Sequence, residues 1–210
     1  YVLSQAFNSN NFDRKVIIVT NQDHEANSGS WRRLERLGFI IREWRVNETS
    51  GSLDVAELRK LLDDSTLLVA FTHCSNILGE INPVKTICNL VKSFGAYSCV
   101  DGVSYAPHGF CDLDDLGPDI YMFSTYKTYG THLGLMYISD ELNKRLENQG
   151  HYFNNELPVA RFTPAGPDHA QIAACAGISN YFKKIYAHHF SEDPSPKFIG
   201  SWGHDLQRKH

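Results

Sequence analysis

Nowhere does the sequence hold an uninterrupted apolar run approaching the roughly 20 residues that a membrane-spanning helix requires, so no helical membrane anchor is expected from these residues. Charge of one sign is also missing. Twenty Lys and Arg stand against 24 Asp and Glu, which leaves no basic footprint for nucleic acid. Cysteine is scarce and odd in number. The five residues, Cys74, Cys88, Cys99, Cys111 and Cys175, include no CxxC pair, so neither a disulfide framework nor a zinc site is indicated. A reducing, cytoplasmic compartment is expected from that usage. There is no HExxH helix for a metal, no GxSxG elbow for a serine nucleophile and no glycine-rich Walker or dinucleotide loop. His73 and Cys74 adjoin, but neighbours on an extended segment point in opposite directions and make a poor thiol–imidazole pair.

What the sequence does have is an ordinary globular composition, 42% hydrophobic and 12% aromatic over 210 residues, too apolar for a chain that stays disordered. Its first residue is Tyr, and Tyr1–Phe7 reads as the last turns of a helix, so the expected picture is a piece of something longer. After Phe190 the chain turns polar, with Pro194 and Pro196, as a frayed or linker-like end does.

Between these ends strand-like and helix-like segments alternate. Short apolar runs at Lys15–Thr20, Phe39–Val46, Thr66–Thr72, Tyr97–Val100, Ile120–Phe123 and Leu133–Ile138 read as strands. Helical spacing occurs at Trp31–Leu37, which Gly38 stops, and at Val55–Leu62, which Asp54 caps. Further helices are predicted from Pro83 to about Phe94, over Asp140–Asn148, and over Asp168–His188 with Ile172, Cys175, Ile178, Phe182 and Ile185 on one stripe. This rhythm predicts a three-layer α/β/α fold with a mostly parallel sheet.

Ligands of such sheets bind beyond the carboxyl ends of the strands. Those ends carry His24, His73–Asn76, Asp101 and Ser124–Lys127. Asp101 closes an apolar strand and either caps the next turn or faces a ligand. A buried carboxylate needs a partner in both cases. Lys127 lies 26 positions on; it either reaches solvent or points into the crevice as a Schiff-base nucleophile. An amine together with a carboxylate is what pyridoxal phosphate chemistry needs, the amine to hold the aldehyde and the carboxylate to keep the pyridine nitrogen protonated. Ser124, Thr125, Tyr126, Thr128 and Tyr129 surround Lys127 with hydroxyls suited to phosphate oxygens, or else form a polar tyrosine-rich loop. His24 either stacks on a ring or lies in a solvated helix cap. Asn76 either donates to a phenolate oxygen or makes an Asx turn.

The stretches Asp23-His24-Glu25-Ala26-Asn27, Thr72-His73-Cys74-Ser75-Asn76-Ile77-Leu78-Gly79-Glu80-Ile81-Asn82-Pro83, Val100-Asp101-Gly102 and Phe123-Ser124-Thr125-Tyr126-Lys127-Thr128-Tyr129-Gly130, in this order and spacing, resemble class V aminotransferases, and most of all their cysteine desulfurase-like branch. The resemblance implies a fold-type I pyridoxal phosphate enzyme that acts on an amino acid as a homodimer. It implies a large cofactor-binding domain over 1–190, with 191–210 a polar tail or the start of a linker. By motif position Lys127 would form the Schiff base and shuttle the alpha proton, and Asp101 would pair with the ring nitrogen. His24 would stack on the ring, Asn76 would lie near its phenolic oxygen, and Ser124 and Tyr126 would hold the phosphate. The family often has His where Tyr126 stands and Gln where Ser104 stands; both replacements keep a hydrogen-bonding group, and Ser104 counts among the expected cofactor residues. The resemblance also implies a phosphate loop before the His24 region and a small domain that supplies an arginine for the substrate carboxylate. This chain is expected to begin after the one and stop before the other. None of its cysteines matches the desulfurase nucleophile. A non-catalytic fragment, a same-fold epimerase and a kynureninase-like hydrolase are the alternative readings. Tyr152, Phe153 and the 162–167 loop are the expected twofold contact, and the 166–169 loop is expected to approach the partner's phosphate.

Overall fold

The computed structural model describes residues 1–109 and 111–190; the expected tail at 191–210 lies outside the described residues. Eighteen to 24 residues of loop and helix separate consecutive strands among the first five, and the chain uses each such connection to cross a face of one six-stranded sheet. The strands are β1 (Val16–Thr20), β2 (Ile40–Trp44), β3 (Thr66–Thr72), β4 (Tyr97–Asp101), β5 (Ile120–Ser124) and β6 (Gly134–Ile138). Their order is β2-β1-β3-β4-β5-β6. All neighbours run parallel except β6, which returns antiparallel along β5. The expected α/β class and mostly parallel sheet are thus present.

β1 and β3 lie inside the sheet, and every residue of VIIVT and TLLVAFT is buried. A strand covered on both faces has no use for polar alternation. Alternate residues instead serve two cores. Ile17 and Val19 pack with Phe7, Trp31, Leu34 and Cys99 on one face, while Val16 and Ile18 pack with Trp44, Leu58, Phe71, Ile87 and Val91 on the other. Burying each such side chain contributes about 1.5–3 kcal/mol.

The first core is roofed by α1 (Val2–Ser9) and α2 (Glu25–Arg32), the second by α3 (Val55–Leu61) and α4 (Val84–Ser93). Asp54 caps α3 through the Ala56 N–H at 2.7 Å, as its sequence position predicts. A short α5 (Leu113–Leu116), α6 (Asp140–Arg145) and the long α7 (His169–His189) complete the described chain. The sequence reading is corrected at α2. The helix begins at Glu25 rather than Trp31, and Arg33–Leu37 is a 3-10 turn ended by Gly38 at φ 90°. No residue of α7 is fully buried. The expected stripe is half-covered at Cys175, Ile178, Phe182 and Ile185, and Ile172 stays exposed.

β2 and β3 flank β1 on opposite sides, so the chain reverses its direction of travel across the sheet between β1 and β3. The loops leaving these two strands diverge there and open a crevice at their carboxyl ends. One buried amide ties its walls together. Asn82 Nδ2 donates to Gln22 Oε1 at 2.7 Å, just past β1, and to the carbonyl of Thr72 at 2.8 Å, at the end of β3.

Candidate functional site

Asp101 ends β4, two residues after Cys99, so both side chains leave the same face of the pleated strand. That is the face toward Trp31 and α2, because Cys99 packs in the Trp31 core. The carboxyl group is buried, and one oxygen accepts the Val103 N–H at 2.8 Å. Burial pushes the acid above its ordinary range, while the Val103 N–H and the charges of His24 and Lys127 pull it back. The chain turns at once through Gly102, whose N–H donates to the Met122 carbonyl at 2.7 Å. A Cβ here would run into the buried Tyr121 ring, so only glycine fits this turn.

Lys127 closes a 3-10 turn, Thr125–Lys127, directly after β5. Buried Thr125 organises the turn, with its hydroxyl 2.5 Å from the Thr131 carbonyl and 3.0 Å from that of Leu133. The Thr125 carbonyl in turn accepts the N–H groups of Thr128 and Gly130, both at 2.8 Å. Tyr129 is held at φ 63°, a left-handed conformation that costs a side-chain-bearing residue about 1 kcal/mol or more. Its ring lies against Tyr181 and Phe182 of α7, with centroids 5.6 and 5.9 Å away. Lys127 is therefore an exposed amine on a rigid turn rather than on a mobile loop.

His24 caps α2. Its Nδ1 accepts the Ala26 N–H at 3.0 Å, which fixes the ring at the mouth of the crevice. Asp23, just before it, accepts the His24 N–H at 2.9 Å and the Asn27 side-chain amide at 2.5 Å. Burial, and next the negative charge of Asp101, push the Asp23 acid up to about 7; the hydrogen bonds from Asn27 and His24 oppose that shift. The sequence reading singled out His24 and passed over Asp23 and Asn27. The i, i+4 spacing of an acid and an amide at a helix start is the signal that could have found them.

Two clefts lie at these strand ends, with no lining residue in common. Asp101, Ala26, Asn27, Val103 and Ser124 line one of about 350 Å³. Asn76, Ser104 and Lys127, with Cys74, Pro107 and His108, line another of about 450 Å³. The exits of β4 and β5 contribute to both, Asp101 to the first and Lys127 to the second. Tyr126 lines neither cleft; its ring stacks on His132 at 4.7 Å.

Behind the clefts lies a second polar cluster that sequence reading did not assemble. Buried His73 stacks on Tyr105 at 3.7 Å and places Nδ1 2.9 Å from the Tyr121 hydroxyl, which lies 3.2 Å from the Cys111 thiol. Burial lowers His73 to about 4, so it is neutral near pH 7 and gives Cys111 no cationic partner. Burial also raises the thiols of Cys74, Cys88, Cys99 and Cys111, so none of the four is an activated thiolate. Among the described residues no group of three His, Cys, Asp or Glu is set to hold a metal ion, and no helix is long and apolar enough to cross a membrane.

A sequence profile for aminotransferase class-V matches residues 2–156. The chain is 45% identical over 141 residues to an aminotransferase-like protein of Gibberella zeae, covering 66% of this chain and 35% of that one. It is 41% identical over 123 residues to a cysteine desulfurase of Yersinia pseudotuberculosis, covering 58% and 30% respectively. The chain thus spans about a third of the length of these relatives. Among solved structures it resembles the cysteine desulfurase CsdA of Escherichia coli, with a TM-score of 0.76 at 19% identity over 92% of this chain and 55% of that one. It also resembles a cysteine desulfurase of Thermococcus onnurineus, with a TM-score of 0.74 at 24% identity over 88% and 49%. At such identities the structural likeness speaks for the fold alone.

Proposed function

Since the chain belongs to the class V aminotransferase family, we propose that it carries the cofactor-binding residues of a pyridoxal phosphate enzyme that works at the alpha carbon of an amino acid through Lys127. One observation carries the reading. At the carboxyl edge of the sheet, the buried carboxylate of Asp101 ends β4, the exposed amine of Lys127 stands on the turn after the neighbouring β5, and the His24 imidazole caps the helix that follows β1. That donor set fits the cofactor. Asp101 is an acceptor already desolvated and turned toward a cleft, which suits a protonated ring nitrogen. Lys127 is a primary amine with nothing burying it.

When bound, pyridoxal phosphate supplies an aldehyde for amines and a protonated ring that withdraws electrons from the substrate's alpha carbon. Lys127 would hold it by its amine and afterwards move the alpha proton on its Nζ. Asp101 would keep the ring nitrogen charged. His24, its orientation fixed by the Ala26 N–H, would cover one face of the ring. Asn76, Ser104 and Ser124, which line the clefts, would bind the cofactor's oxygens, whereas Tyr126, stacked on His132 outside both clefts, is left out of that set. Transamination and a lyase reaction both fit this scheme; the thiols of Cys74, Cys88, Cys99 and Cys111, each raised by burial, would take no part as nucleophiles. The five cysteines stand as free thiols, which supports a reducing, cytoplasmic setting. Exposed Tyr152 and Phe153 support a homodimer.

Treating the protein with pyridoxal phosphate and then borohydride should fix the cofactor to the peptide that carries Lys127, as peptide mass spectrometry reads it. Lys127→Ala should abolish that label. Cofactor trapped on another lysine, or trapped equally in the variant, overturns the assignment.

A further inference from the structure

Asp23 lies one residue before the imidazole and has no part in the scheme above. Its setting is nevertheless built. Asn27 is buried, and its carbonyl oxygen receives the Trp31 indole N–H at 3.2 Å. Indole is a donor only, so the amide orientation is forced: Oδ1 must face Trp31, and the NH2 group must face Asp23. That NH2 donates to Asp23 Oδ2 at 2.5 Å, while the His24 N–H donates to Oδ1 at 2.9 Å. Asp23 is thus clamped at both oxygens by α2. Asn27 also borders the cleft that Asp101 lines, and it touches Cys99, which leaves β4 on the same face as Asp101. The clamp therefore aims a second acid at the side of the sheet where Asp101 emerges.

We infer that Asp23 is a positioning residue of the site, a second carboxylate held by Asn27 so that its charge stiffens the grip of Asp101 on the proton of a bound pyridine nitrogen. The inference rests on the proposed cofactor reading. The groups that face Asp23 are few: Asp101 and the thiol of Cys99 from β4, and His24 and Asn27 from its own segment. Lys127 acts on Asp101 rather than on Asp23. With Asp23 neutral, Asp101 is the one anion of the pair; with Asp23 ionised, both are charged. A pyridinium brought against Asp101 cancels much of the negative charge that Asp23 feels, so the two events are linked.

The test is a titration of aspartate side-chain carboxyls by carbon NMR on the cofactor-free protein, with the Asp23 signal assigned by its loss in Asp23→Asn. Asp23 should titrate near 7. Its midpoint should fall by about one pH unit or more, a tenfold change in acidity, in Asp101→Asn and also in the unmutated protein saturated with pyridoxal phosphate. With ring-labelled cofactor, Asp23→Asn should lose the nitrogen-NMR signature of the protonated ring at a lower pH than the unmutated protein does. The cofactor-saturated arm on the unmutated protein needs no variant to fold. An Asp23 midpoint in the ordinary carboxylate range, or one that neither Asp101→Asn nor the cofactor moves, overturns the inference. Failure to bind pyridoxal phosphate overturns the cofactor reading instead, and the cofactor-free titration then still decides whether the two acids are coupled.

Discussion

Two desolvated groups, half-buried Asp23 and buried His73, give the protein opposing responses to pH. Asp23 holds its proton more tightly folded than unfolded, from 3.8 up to about 7. The folded state therefore binds more protons between those values, and stability falls as pH rises through that window, by about 4 kcal/mol at most. His73 behaves the other way. Its value drops from 6.5 to about 4, so the unfolded state binds more protons in that window, and stability falls by about 3 kcal/mol as pH drops through it. Between pH 4 and 6.5 the two largely offset each other. Asp23→Asn should unmask a rise of stability with pH, and His73→Gln, which keeps a partner for Tyr121, should unmask a fall. Urea unfolding midpoints at pH 4.5, 5.5 and 6.5, with unchanged slopes, check both. Equal pH profiles for the two variants would show that neither group is perturbed as described. At this scale the sequence was partly legible. Asp101 and Lys127 stand out because each closes an apolar run. Asp23 and His73 do not, since what perturbs them is burial contributed by other segments.

Among the elements, the turn that carries Lys127 depends on one hydroxyl. Thr125→Val keeps the shape but removes the bonds to the Thr131 and Leu133 carbonyls. The change should cost about 1 kcal/mol, because two half-buried carbonyls lose the hydroxyl while that of Leu133 keeps the Thr125 N–H. Borohydride trapping at Lys127 should slow severalfold while the far-ultraviolet circular dichroism stays the same. Trapping at the unmutated rate would mean that the turn is held by its backbone bonds alone. The strands were readable from β-branched runs, and α3 from its Asp54 cap. α2 was not, because Asn27, Ser28, Gly29 and Ser30 are poor helix formers and its cap is a histidine. What holds that helix is Trp31, 2% exposed in the core, together with the Asn27 clamp, and both are tertiary contacts that no local window reports.

At the scale of the whole molecule, apolar surface remains uncovered on the segment before α7. Tyr152 is 95% exposed, Phe153 78% and Val159 92%. Side chains this large and this open favour a partner surface. On the proposed homodimer reading, sedimentation should find a dimer, and Phe153→Asp together with Tyr152→Ser should shift it to monomer without unfolding it. A monomer in the unmutated protein would remove dimerisation from the proposal. The class of the fold followed from the alternation of segments, since parallel strands need crossover helices. Which strands flank β1 did not follow, because that order is fixed by which helix finds which face of the sheet.

The reversal between β1 and β3 also separates what can vary from what cannot. Asp101 ends a strand locked in register within the sheet and Lys127 stands on the short turn directly after another, whereas the loops that spread from the reversal reach beyond the sheet's edge. Changes confined to the exposed positions of those loops, such as Ile77 and Leu78, would reshape the entrance and change which molecules are admitted while His24 and Asn76 keep their places. Diversification of this scaffold should therefore concentrate at its rim.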